Sequence, residues 1–152
     1  MKTAYFLAIL ILLVTSCRKD PAILQPDTFS FGLAYGFCAG DCAYFYQLKD
    51  MAVYRDNIDH YKNIVSYEPQ PLSQSKYQIA KNMLDSLPAF LNQHQGQTIG
   101  CPDCYDQGGF HISHVSKGIT RRWYIDTSAD SQPVEIRDYM KRMKEVIEEL
   151  NQ

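Results

Sequence analysis

Cysteine is the residue type in this chain with the widest chemistry, and four of its five cysteines stand in two close pairs. "YGFCAGDCAYFY" (35–46) holds Cys38 and Cys42 as Cys-x3-Cys, and "IGCPDCYDQGG" (99–109) holds Cys101 and Cys104 as Cys-x2-Cys. Such pairs support three chemistries. Two disulfides would pin the loops, four thiolates would complete a tetrahedral zinc site, and one pair could cycle as a redox dithiol. Disulfides are the favoured reading, because the N-terminus described below directs the chain out of the cytoplasm, where thiols are oxidised. No metal or other cofactor is then assigned. Zinc on Cys38, Cys42, Cys101 and Cys104, or thiol-redox chemistry of the same residues, is the alternative.

Four cysteines allow three pairings. Cys38 is expected to close one strand and Cys42 to open the next, across Ala39-Gly40-Asp41. Cys101-Pro102-Asp103-Cys104 has β-turn composition. Either arrangement brings two Cα atoms within the ~4.4–6.8 Å that a disulfide requires. Local pairing is therefore favoured over cross-pairing, which would tie the first hairpin to the last part of the sheet. "CPDC" superficially resembles the Cys-Pro-x-Cys of thiol–disulfide oxidoreductases. Those enzymes set the first Cys at a helix N-terminus, where the dipole favours thiolate. Here "YDQGGFHISHV" follows, with two glycines and then a strand. Asp103 and Asp106 would disfavour a thiolate. No catalytic residue is assigned, and the chain reads more readily as a non-enzyme.

Other chemistry-bearing residues give weaker signals. His111 and His114 are close in sequence, but on a strand positions three apart point to opposite faces. His60 and His94 have no partner at ligand spacing. Arg121, Arg122 and Trp123 before Asp126 could form a binding rim; a strand with one buried and one charged face is the preferred reading. Gly-x-Ser-x-Gly, P-loop and His-Glu-x-x-His motifs do not occur.

The N-terminus supplies the address. Lys2 precedes an unbroken apolar run, Tyr5 to Val14. A stable membrane span needs ~20 apolar residues, so this run fits the core of a secretory signal instead. It ends in Val14-Thr15-Ser16-Cys17, which resembles the lipobox of bacterial lipoproteins. The resemblance implies a signal peptide over 1–16 and lipidation of Cys17, which becomes the mature N-terminus. Several acyl chains would then hold the protein stably on a membrane. Arg18-Lys19-Asp20 resembles, with a single acid, the surface-export signal of Bacteroidota lipoproteins. Residues 17–27 form a tether extended by Pro21 and Pro26. The expected location is the cell envelope, at the outer membrane and facing the surface.

Residues 28–152 are then one domain, long enough to bury a real core. The net charge is −2, and no basic stripe exists, so nucleic acid is excluded as a partner. Eleven Tyr and seven Phe against one Trp suit a half-buried sheet.

The pattern sets the elements. "TFSFGLAYGFC" alternates, with Phe29, Phe31, Leu33, Tyr35 and Phe37 on one face and Ser30, Gly32, Ala34 and Gly36 on the other. The small face either admits another element closely or is a plain exposed face. "AYFYQLKD", "MAVYRD" and "HYKNIVSYE" read as three more strands. Ala80, Met83, Leu84 and Leu87 recur at helical spacing, with Ser75 and Gln78 as a capping box and Pro88 as the stop. "GFHISHVSKG" and "ITRRWYID" form a hairpin around Lys117-Gly118. A last helix starts near Pro133, with Ile136, Met140, Met143, Ile147 and Leu150 as its apolar stripe. Asp138–Arg142, Lys141–Glu145 and Lys144–Glu148 are its expected ion pairs. The order ββββ-α-ββ-α predicts an α+β fold: an antiparallel sheet with helices packed on one face.

These motifs carry a resemblance. "CAGDC" before an aromatic strand resembles the Cys-x-Gly-x-Cys start of an uncharacterised domain family of bacterial lipoproteins, which often has Pro where Ala43 stands. "GCPDCYDQGG", then "WYID" and a terminal helix, is similar to hypothetical lipoproteins of Bacteroidota. The likeness spans residues 28–150 and implies a lipid-anchored α+β protein, with no activity attached. A binding module with rigid cysteine loops is the expected function, its partner a protein or an envelope polymer and its contact to the membrane the lipid anchor.

Overall fold

The computed structural model describes residues 26–152. The signal peptide, Cys17 and all but the end of the tether lie outside the described residues. Strands β1 (Thr28–Ala34), β2 (Ala43–Lys49) and β3 (Ala52–Arg55) come first, then helices α1 (Gln74–Asp85) and α2 (Ala89–Gln93). Strands β4 (Thr98–Ile99), β5 (Gly109–Ser116) and β6 (Ile119–Asp126) follow, and α3 (Val134–Leu150) ends the domain. The six strands form one sheet in the order β3-β2-β1-β5-β6-β4. Every neighbour is antiparallel except β4, which runs parallel to β6. The fold is α+β, with the helices on one side of the sheet.

Alternation decides which side is covered. Phe29, Phe31 and Leu33 of β1 face the helices, beside Tyr46 and Leu48 of β2, and all are buried. From β5 and β6 come Phe110, Ile112, Trp123 and Ile125. The apolar stripe of α3 closes the core through Ile136, Met140, Met143, Ile147 and Leu150, as its spacing predicts, with Met83 of α1 against it. Two polar handles in this core are satisfied, while the buried Tyr46 hydroxyl has no hydrogen-bond partner among the described residues. The Trp123 indole N–H donates to the Leu91 carbonyl at 2.8 Å, and the Tyr139 hydroxyl donates to the Met83 carbonyl at 2.9 Å. Lys76 of α1 donates to the Leu150 carbonyl at 2.9 Å, which satisfies an end carbonyl of α3.

Four local expectations are corrected. "HYKNIVSYE" is not a strand: only an isolated bridge, Asp56 with Tyr67, forms there. Asn63 at φ 64° interrupts the extended run. Tyr61, Val65 and Tyr67, with Ile58 just before, pack against Ala34, Ala43 and Phe45 on the helix-free side of the sheet. The segment thus folds over a face instead of pairing at an edge. Helix α1 is capped by Ser73, whose hydroxyl accepts from the Lys76 N–H at 3.4 Å, and not by Ser75. Arg142 of α3 reaches Glu145 at 3.2 Å and Glu149 at 3.5 Å instead of Asp138. The two Lys–Glu pairs do not form among the described residues; exposed side chains of this length lose too much entropy to hold one geometry for such a small gain. Strand β4, with two residues, is too short to show a period in the sequence.

The sheet has two distinct ends. The chain enters at one of them, where the Asp27 carboxylate accepts the Lys117 N–H at 2.8 Å. Thr28 lies opposite Val115 there, and the β2–β3 turn with Met51 is at the same end. At the other end Ala34 lies opposite Gly109. Both cysteine pairs are at that far end.

Candidate functional site

The far end is built from two loops. β1 stops at Ala34 and β2 starts at Ala43, so Cys38 and Cys42 sit inside the connection and not at strand ends, as the sequence suggests. The Tyr35 N–H donates to the Cys42 carbonyl at 3.0 Å and closes the base of this loop. Cys38 pairs with Cys42, Cα atoms 5.9 Å apart, and Cys101 with Cys104, Cα atoms 5.6 Å apart. Local disulfides pin both loops, as expected.

Asp103 joins them. One of its carboxylate oxygens accepts the Gly36 N–H of the first loop at 3.3 Å and the Gly108 N–H of its own at 3.1 Å. Glycine at position 36 makes room for this contact, because a Cβ there would run into the Asp103 carboxylate and displace it. Asp126 holds the second loop from beneath. It is buried, with 2 % of its surface exposed, and accepts from the Cys101 N–H at 2.9 Å and the Ser128 N–H at 2.8 Å. Burial alone would raise its pKa; these backbone donors, the Gln107 amide and the Ser131 hydroxyl outweigh that and hold it below the usual carboxylate range. Asp126 is therefore a structural anchor and not part of a binding rim. Its neighbour Trp123 is in the core, while Arg122 is exposed on the other face, so the strand is divided as the plainer reading had it. From the joined loops Phe37 and Tyr105 project, 82 % and 90 % exposed.

The same loops wall one side of a cavity of about 740 Å³ on the helix-free face of the sheet. Tyr35, Gly36 and Asp103 form that side. Tyr61, Asn63, Val65 and Tyr67 form another, and Gly96, Gln97 and Thr98 a third. The floor is the second set of alternating strand positions: Ser30, Phe45, Gln47, His111, Ser113 and Tyr124 among them. The small face of β1 is explained here. A Cβ on Gly32 would stand 2.5 Å from the Phe45 ring, so the ring lies flat against β1 only because Gly32 has none.

An aromatic belt crosses the floor. Phe45 stacks on Tyr61 at 5.2 Å, Tyr61 meets His111 at 4.4 Å, and His111 stacks on Tyr124 at 4.3 Å. Burial among these rings pushes the His111 pKa down to about 4, so the imidazole is neutral at pH 7. Beside the belt, the Gln47 amide donates to the Ser30 hydroxyl at 3.3 Å, and Ser30 also bonds Tyr67. Burial, partly countered by Ser30, pushes the Tyr67 pKa up to about 12. Burial, with the charge of Asp103, also raises Tyr124. His111, Tyr67 and Tyr124 are thus neutral near pH 7. The charged lining residues are Arg122, without an ion pair among the described residues, and Asp103, already engaged by two N–H groups.

His111 faces this cavity, whereas His114 packs edge-on against Phe29 at 5.9 Å on the helix side. They do not share a ligand. Among the described residues no group of three or more His, Cys, Asp or Glu side chains could hold a metal ion. No helix of the described residues is long and apolar enough to cross a membrane. The belt escaped sequence reading. Its one legible trace was Phe45, an aromatic on the face of β2 opposite Tyr44, Tyr46 and Leu48. No protein-family model and no curated protein sequence matches the chain.

Proposed function

We propose that this chain is a lipoprotein of the cell envelope, lipidated at Cys17 after removal of residues 1–16, and that its domain is a binding module for a protein partner. The observation that supports this is the polarity of the sheet. The tether joins the domain at Asp27, and the joined cystine loops stand beyond the far end of β1, about 20 Å along the strand. An anchor at Cys17 would therefore leave Phe37 and Tyr105 pointing away from the membrane. Two exposed aromatics on loops fixed by disulfides and by Asp103 have little entropy to lose on contact, and aromatic anchors of this kind dominate protein interfaces. The outer membrane, facing the surface, is the location this reading adopts. The alternative, a zinc or thiol-redox protein, would draw on the same Cys38, Cys42, Cys101 and Cys104, which here stand in two disulfides.

Photo-crosslinking tests the reading in the native envelope. Benzoylphenylalanine is placed at Phe37, at Tyr105 and, as the near-end control, at Met51, itself 79 % exposed. Discrete protein adducts at Phe37 and Tyr105 and none at Met51 are expected. Adducts at Met51 alone, or only polysaccharide smears at Phe37 and Tyr105, would overturn it. Palmitate labelling that survives Cys17→Ser would remove the anchor from the proposal.

A further inference from the structure

We infer that the cavity on the helix-free face of the sheet is a binding site for an acidic saccharide, a sugar ring carrying a carboxylate. The inference needs neither the lipid anchor nor a partner at the cystine loops, and it concerns a different surface.

The volume, about 740 Å³, lies inside the ~300–1,000 Å³ range of small-ligand pockets. The lining combines two kinds of group that are seldom placed together for structural reasons. One is the belt of Phe45, Tyr61, His111 and Tyr124, which offers flat apolar surface at the bottom of a polar cavity. The other is a set of uncharged hydrogen-bonding side chains around it: Asn63, Gln97, Thr98 and Ser113. A sugar ring has the matching division, with C–H groups on its faces and hydroxyls around its edge. Its faces suit the aromatic belt, and its hydroxyls suit side chains that both donate and accept. A purely apolar ligand would leave those amides and hydroxyls unpaired, at a cost of ~1–3 kcal/mol for each one buried.

Charge chooses the acidic member of the class. Arg122 is the cation of the lining, is exposed, and makes no ion pair among the described residues. Asp103, the anion, is held by Gly36 and Gly108 through one oxygen at the cystine-loop wall, beyond the Gly109 end of β5, whereas Arg122 lies opposite Ser113, four positions back along β6. His111, buried among its aromatic neighbours, adds no charge at pH 7. The cavity therefore carries its positive group apart from its negative one and without an ion pair, and a planar guanidinium is well shaped for a carboxylate.

The test uses the full chain in detergent and three probes: glucuronate, glucose and acetate. Saturation-transfer NMR follows the sugar ring protons, and the His111 ring protons report occupancy. Glucuronate is expected to receive saturation and to shift the His111 signals, with glucose about tenfold weaker. Arg122→Gln, an exposed change that leaves the core untouched, is expected to bring glucuronate to the level of glucose. No transfer to either sugar would overturn the inference, as would glucuronate binding that Arg122→Gln leaves unchanged. Acetate shifting His111 as strongly as glucuronate would also overturn it, because the site would then recognise a carboxylate without the ring. Cross-linking at Phe37 and Tyr105 is read separately, so either result can fail alone.

Discussion

The two faces of this sheet come from the same residues of chain, one position out of step. On the helix side Phe29, Phe31, Leu33, Phe110 and Ile112 are sealed under α1 and α3. On the other side Ser30, Gly32, His111 and Ser113 alternate with them and floor a cavity rimmed by loops. The first face is uniform in chemistry and fully buried, and burial of that kind is what holds a domain together. The second mixes rings, amides and hydroxyls and is only partly covered. Stability and recognition are thus divided by strand parity, and a change at one position should disturb one without the other.

The largest expected effect tests that division directly. Phe31, which has none of its surface exposed, lies between the rings of Phe29 and Tyr46. Phe31→Ala should cost about 3–5 kcal/mol of unfolding free energy, through lost transfer energy and the cavity left behind. Ser113→Ala, two residues from His111 on the same face, should change stability by no more than ~0.5 kcal/mol. Urea denaturation measures both. Similar losses in the two variants would mean that the helix-free face carries as much of the fold as the core.

A pH titration sharpens the comparison, because a buried imidazole is a costly group on the open face. The folded His111 pKa is about 4 against 6.5 for an ordinary histidine. Between those values the unfolded chain takes up a proton that the folded ring refuses. The domain is therefore at full stability above pH 6.5 with respect to this group and loses stability as pH falls toward 4. The loss approaches about 3 kcal/mol at the bottom of the window. The groups facing the ring are Phe45, Tyr61 and Tyr124, with Arg122 and Asp103 on the same cavity. His114 is shifted down too, by burial and by Arg121, and acts in the same sense. The quantity to measure is accordingly the difference between wild type and His111→Phe, in which the other groups cancel. That difference should grow steadily from pH 6.5 to pH 4; a flat difference would mean that the ring is open to water.

Much of this division was legible before any coordinates. Strict alternation in "TFSFGLA" fixes β1 and its parity, and 3.6-residue spacing fixes α3, because each pattern reports which side is buried. The local disulfides follow from chain geometry over very few residues. The cavity was not legible, and the reason is specific. Its second and third walls come from "HYKNIVSYE" and from Gly96-Gln97-Thr98, whose placement depends on what they pack against. Tyr61, Val65 and Tyr67 look like strand residues until Gly32 and Phe45 are seen to leave them a surface. The anchoring role of Asp126 was hidden for a related reason: the strand pattern leaves a binding rim open as the second reading, and only the N–H groups of Cys101 and Ser128 show the carboxylate to be an anchor.

A smaller stability effect than at Phe31 or His111 falls where the two faces meet, at the cystine loops. The loops closed by Cys38–Cys42 and Cys101–Cys104 are so short that each bond should contribute about 2 kcal/mol on the chain-entropy view. A domain with this core should survive its loss. Function need not. Asp103 is placed by the Cys101–Cys104 turn, and through Gly36 it sets the other loop and one wall of the cavity. Replacing Cys101 and Cys104 by Ser should therefore leave a folded protein, its urea midpoint slightly lower, while hydrogen exchange at the Gly36 and Gly108 amides speeds by at least tenfold. Replacing Cys38 and Cys42 should quicken exchange at Gly36 but spare Gly108, whose acceptor sits on the other loop. Equal acceleration at both amides in both variants would show that the loops are held as one cooperative unit by more than the Asp103 carboxylate.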